Sequence, residues 1–92
     1  MADRAAADLA LELASEKRLL LKADADIEAG RGRLHSVQER LNALRNARHN
    51  TIQAERLVGL MTDTLVQWER HRVLIQDRVD YLERKTSQSD RG

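Results

Sequence analysis

Asn46-Ala47-Arg48-His49-Asn50-Thr51 is the stretch that decides the fold. Asparagine, histidine and threonine form helix less readily than the alanine, leucine, glutamate and arginine around them, so this is the poorest helix-forming segment in the body of the chain. Asn50 or Thr51 can cap a helix that starts there. Gln53 follows Asn50 by three residues, as in a capping box, although the usual first residue of such a box is Ser or Thr. On either side the sequence turns periodic. Upstream, Leu13, Leu20, Ile27, Leu34 and Leu41 recur at every seventh residue. Taking these as heptad position a puts Leu9, Glu16, Ala23, Gly30, Val37 and Leu44 at position d. Downstream, Val58, Leu65, Arg72 and Val79 form one seven-residue series, and Met61, Trp68, Ile75 and Leu82 form another. Alternating steps of three and four make the seam of a coiled coil.

The two frames do not join smoothly, because Leu44 to Ala47 is a step of three where four is due. Either the chain is a continuous rod with a stammer, or it reverses. Reversal makes an arithmetic demand: the numbers of facing residues must add to a constant. Leu44 with Ala54, Leu41 with Val58, Val37 with Met61, Leu34 with Leu65, Gly30 with Trp68, Ala23 with Ile75 and Leu20 with Val79 all add to 98 or 99. Only one of seven relative phases meets seam with seam in this way. The chain is therefore predicted to be all-α, a single helical domain forming a long, coiled-coil-like antiparallel hairpin. Helix one covers about 3–47, the turn about 48–50 and helix two about 51–85, with a small polar tail, 86–92, that reads as disordered.

Gly30 costs about 1 kcal/mol relative to alanine inside a helix. Opposite Trp68 it leaves room for the one large aromatic ring in the chain. The alternative is a break at Gly30-Arg31-Gly32, giving three helices over about 3–29, 33–47 and 51–85. The unbroken Ile27-Leu34-Leu41 spacing argues against it, because a loop would reset the phase. Two seam positions are charged: Arg72, placed within reach of Asp24 and Glu28, and Glu16, placed against Leu82 near Arg84 and Lys85.

Composition narrows the function classes. Among 92 residues there is no cysteine, no proline and no phenylalanine, 34% are charged and 41% are hydrophobic. That balance suits long amphipathic helices. No apolar run approaches the ~18–20 residues of a membrane span. The first residues lack a cationic segment followed by an apolar run, so the chain is expected to be cytoplasmic. Without cysteine there is no disulfide and no thiolate metal site.

No constellation points to chemistry. His35 and Glu39, four apart, offer two metal ligands where a site needs three or four. Gly30-x-Gly32 follows no strand and is no nucleotide fingerprint. Ser15, Ser36, Ser87 and Ser89 lack a glycine-flanked elbow. The carboxylate pairs Asp24/Glu28 and Asp77/Asp80 read as solvated helix surface. The chain is thus expected to be no enzyme, with no cofactor, no metal, no small-molecule substrate and no membrane partner.

What remains is surface. Helix two carries Leu57, Leu60, Val66, Val73, Leu74 and Tyr81 outside its seam, and helix one adds Leu11 and Leu21, with Leu19 flanking. A two-helix hairpin has no use for these, and exposed apolar patches mark interaction sites. They suggest self-association, a twofold dimer of hairpins making a four-helix bundle, and the binding of another protein. A second reading rests on charge. Residues 1–29 hold seven acids and four bases, net −3, whereas residues 30–50 hold five arginines against Glu39, net +4. Arg31, Arg33, Arg40, Arg45, Arg48 and Arg56 could meet nucleic-acid phosphates. Against that reading, overall net charge is only +1, and no aromatic is interleaved with these arginines for base stacking.

Overall fold

The computed structural model describes residues 2–91, with side chains from residue 4 to residue 88. Two helices account for nearly all of it, α1 (Ala2–Asn46) and α2 (Ile52–Arg91). With no proline anywhere, nothing removes an intrahelical hydrogen bond. α1 passes through Gly30-Arg31-Gly32 without a break, which excludes the three-helix alternative. Residues that would otherwise compete with the helix are absorbed into it: the hydroxyls of Ser36, Thr62, Thr64 and Thr86 each donate to the carbonyl four residues back.

The reversal falls where the weak segment lies, and its hydrogen bonds say why. Ala47 N–H still reaches Ala43 in α-helical fashion, at 3.0 Å. Arg48 N–H then donates to Arg45 (3.1 Å) and His49 N–H to Leu44 (2.9 Å), the paired bonds of a Schellman C-cap. The residue at its pivot must be left-handed, and Arg48 is, with φ at 58°. Glycine usually fills that position because an L side chain is strained there. Across the turn, the Asn50 carboxamide oxygen accepts from Ile52 N–H at 3.0 Å, and Thr51 C=O accepts the first intrahelical bond, from Glu55. Asn50 is therefore the side-chain cap of α2, and Gln53 does not complete a capping box with it.

At the far end the expected disordered tail is not found over the described residues: α2 runs on to Arg91, and Gly92 lies outside them. Propagating an existing helix is cheap where no glycine or proline interrupts, and Thr86 satisfies its hydroxyl on Leu82.

Contacts group the chain into two compact units. One is Ala25–Arg70, containing the turn; the other pairs Met1–Asp24 with His71–Gly92. Within each, the helices run antiparallel. In the turn unit Arg45 reaches Glu55 and Arg31 reaches Glu69, so α1 numbers fall as α2 numbers rise. The terminal unit shows the same order, with Asp24 on Arg72 and Lys17 on Glu83.

Burial follows the heptad closely. From Ala6 to Leu44, the side chains of α1 that are buried or half-buried are those at a and d, and no others. In the turn unit Ile27, Leu41 and Leu65 are buried, and in the terminal unit Ile75, Val79 and Leu82. Each such side chain contributes roughly 1.5–3 kcal/mol. Gly30 sits tightly against α2. A Cβ built on it would lie 2.8 Å from Leu65 Cδ2 and 3.1 Å from Trp68 Cζ3. The expected pairing of Gly30 with Trp68 is therefore present, although Trp68 keeps 36% of its surface exposed.

Candidate interaction surface

The seam leaves much apolar surface uncovered. Among the described residues, eleven large hydrophobic side chains are exposed, against six hydrophobic side chains that are buried. All eight positions that the sequence proposed for association are in the exposed set: Leu57, Leu60 and Val66 in the turn unit, and Leu11, Leu21, Val73, Leu74 and Tyr81 in the terminal unit. Ile52 belongs with them and was missed, since its place in the first turn of α2 drew attention to capping rather than to its side chain.

Heptad lettering of α2 sorts these residues further. With Val58 at a and Met61 at d, Leu60, Leu74 and Tyr81 fall at c and Leu57 at g, whereas Ile52, Val66 and Val73 fall at b. Position f, angularly between b and c, carries Arg56, Asp63, Arg70, Asp77 and Arg84. The surplus on α2 is thus two rows flanking a charged one, not a single stripe.

In the turn unit the two edges of the helix pair differ. One edge is bridged by ion pairs between e positions, Arg31 with Glu69 at 2.9 Å and Arg45 with Glu55 at 3.2 Å, and beside them lies a depression of about 480 Å³ walled by Gln38, Glu39, Leu41, Arg45 and Val58. Glu55 also accepts from the Thr51 hydroxyl, which ties the turn to this edge. The other edge, at position g, carries Asp26, Arg33 and Arg40 on α1 and Leu57 and Thr64 on α2. Two depressions open along it. One, of about 130 Å³, has Gly30, Arg33, Leu60, Leu65 and Trp68 in its walls. The other, of about 380 Å³, has Val37, Arg40, Leu44, Ala54 and Leu57. No carboxylate lines either.

The arginine group proposed from sequence therefore divides. Arg31 and Arg45 are committed to carboxylates of α2. Arg33, Arg40, Arg48 and Arg56 make no ion pair among the described residues. Arg48 stands on the turn, and Arg33 with Arg40 edges the two depressions.

The terminal unit is more fully paired. Lys17 meets Glu83 at 3.3 Å, and Arg78 pairs with Glu12. Tyr81 is not bare, because the Arg78 guanidinium and the Lys85 ammonium lie 5.5 and 5.8 Å from its ring centre. Seam residue Arg72 binds Asp24, one of the two acids expected for it. That hydrogen bond is the main reason the Asp24 carboxyl is held below its ordinary value of 3.8; burial opposes the shift and the charge of Arg72 assists it. Glu16 is half-buried and makes no ion pair among the described residues, while its neighbour Lys17 does.

The described residues include no buried polar or charged side chain. His35 Nε2 lies 3.0 Å from Glu39 Oε1, with both side chains about 70% exposed. No three His, Asp or Glu side chains gather as a metal set among the described residues. Among the described residues, no helix is long and apolar enough to cross a membrane. No protein-family model, curated protein or solved structure matches the chain.

Proposed function

We propose that this protein is a non-enzymatic interaction module, an adaptor, chaperone or inhibitor that works by pairing its exposed apolar helix surface with other helices. The observation that carries this reading is the imbalance between eleven exposed and six buried hydrophobic side chains. Small helical scaffolds are thin in core and commonly make up stability by association. In its finer form the proposal includes a homodimer, a four-helix bundle of two hairpins, located in the cytoplasm. Burying a leucine contributes roughly 1.5–3 kcal/mol, so five or six of them are enough to offset an association cost of the same order, about 4–15 kcal/mol.

Sedimentation tests the dimer. Val73 and Leu74 are 55% and 65% exposed, so Val73→Glu with Leu74→Glu removes no internal contact of consequence. The wild type is expected to sediment as a dimer at micromolar concentration and the double variant as a folded monomer. A wild type that is monomeric and shifts duplex RNA or DNA at physiological salt would refute the reading.

A further inference from the structure

We propose that the g edge of the turn unit is the seat for an acidic amphipathic helix supplied by another protein. This rests on the interaction-module reading and names the face used and the chemistry of the partner. Three observations carry it.

The first is the floor. Leu57, Leu60 and Trp68 are exposed hydrophobics on or beside this edge, and the two depressions between the helices offer places for apolar side chains. Helix-in-groove recognition uses such anchors at i, i+3 or i+4, and i+7. The second is the rim. Arg33 and Arg40 are seven residues apart on one helix, about 10.5 Å along its axis at 1.5 Å per residue. Neither is neutralised, and no carboxylate lines the depressions. A partner helix with carboxylates two turns apart matches that spacing, and guanidinium groups bind carboxylates in a bidentate fork. The third is the contrast with the opposite edge. There Arg31 and Arg45 are already met by Glu69 and Glu55, so of the arginines along the two edges of this unit it is Arg33 and Arg40 that keep an unmatched charge.

A second copy of this chain suits the seat less well. Glu12, Asp24, Glu55, Glu69 and Glu83 are each engaged within the chain, and among the described acids that make no ion pair (Asp8, Glu16, Glu28, Asp63, Asp77 and Asp80) no two stand seven residues apart to match Arg33 and Arg40. Nucleic acid suits it less well too, since phosphates gain nothing from an apolar floor.

The test uses the full chain and a displayed library of helical peptides. Leucines are fixed at i, i+3 and i+7, and the flanking positions are drawn from Glu, Gln and Lys. Selection is expected to enrich Glu. The best peptide, synthesised with a fluorescein label, is expected to shift Trp68 emission to shorter wavelength. It should bind the Arg33→Glu/Arg40→Glu variant roughly tenfold more weakly, given the modest worth of each exposed pair. A Glu-to-Lys version of the peptide should recover affinity for that variant. Both arginines are exposed and unpaired, so the variant is expected to fold, which circular dichroism checks.

Enrichment of Lys or Gln overturns the acidic partner while leaving the interaction module standing. Conversion of a wild-type dimer to monomer by Leu60→Glu assigns the seat to a second copy and overturns it as well. No enrichment, together with a duplex gel shift abolished by Arg33→Glu/Arg40→Glu, overturns both this inference and the reading beneath it.

Discussion

Two glycines stand two residues apart on α1 and should respond to substitution with opposite signs. Gly32 has nothing within 4 Å of where its Cβ would be. Gly32→Ala therefore gains helix propensity alone, about 1 kcal/mol. Gly30→Ala has the same gain to collect, but its methyl must fit 2.8 Å from Leu65 Cδ2 and 3.1 Å from Trp68 Cζ3. Leu65 is only 7% exposed and has little freedom to yield, whereas Trp68 can swing toward solvent. Gly30→Ala is expected to fall below Gly32→Ala. Gly30→Leu forces three further carbons into the same space; overpacking of this kind costs about 1–3 kcal/mol. After the propensity gain, the net loss is up to about 2 kcal/mol, or a fall in Tm of up to about 16 °C for a domain of this size. The assay is a thermal melt by circular dichroism at one fixed protein concentration, since association would make Tm concentration-dependent. If Gly30→Leu raises Tm as Gly32→Ala does, the close approach of the helices at Gly30 is wrong, and the pairing of Gly30 with Trp68 goes with it.

Arg48 supplies a second expectation. Its φ of 58° is left-handed, so Arg48→Gly should stabilise by roughly 0.5–1 kcal/mol, read as a higher urea midpoint with unchanged slope. The Asp24–Arg72 pair supplies a third. The Asp24 carboxyl titrates below its ordinary 3.8 when folded, so its contribution is present above that value and is lost as pH falls toward the folded pKa. Asp24→Asn should lower the urea midpoint at pH 6, and the gap from wild type should narrow at acid pH. A gap that stays constant would mean the carboxylate charge is not what matters.

The register was readable because the seam is strict. Leu13 through Leu41 and Leu9 through Leu44 keep their spacing, and burial along α1 follows those letters even at Glu16 and Gly30, which are not apolar. The seven-residue rule reports geometry, so it tolerates individual exceptions. Arg72 was placed correctly for the same reason: once register is fixed, Asp24 is one of its few acid neighbours. The end of α2 was misjudged because Thr86 to Arg91 looks polar and weak as an isolated peptide, whereas a helix already formed extends at little cost. The C-cap was not readable, since its usual mark is a glycine and here an arginine takes the left-handed position. The arginines could be counted from sequence but not sorted. Whether Arg31 or Arg33 meets a glutamate depends on which edge each one lines, and two residues of difference on a helix is enough to change edges.

The bonds that bridge the helices enclose very different lengths of chain. Arg45 and Glu55 are 10 residues apart, Arg31 and Glu69 are 38, Asp24 and Arg72 are 48, and Glu12 and Arg78 are 66. Made independently from open coil, the longest closure costs about 1.7 kcal/mol more entropy than the shortest. A chain that closes in order avoids that difference. Once Arg45 has met Glu55, each later pair encloses only the residues added since the last, 28 for Arg31 with Glu69 (38 − 10) and 10 more for Asp24 with Arg72 (48 − 38). The turn, which carries its own caps, is therefore the natural starting point, and closure travels outward from it like a zipper. Synthesis imposes a delay on the same process. All of α1 is synthesised before any of α2, and its earliest residues wait longest, because the part of α2 that pairs with them is made after the rest of that helix.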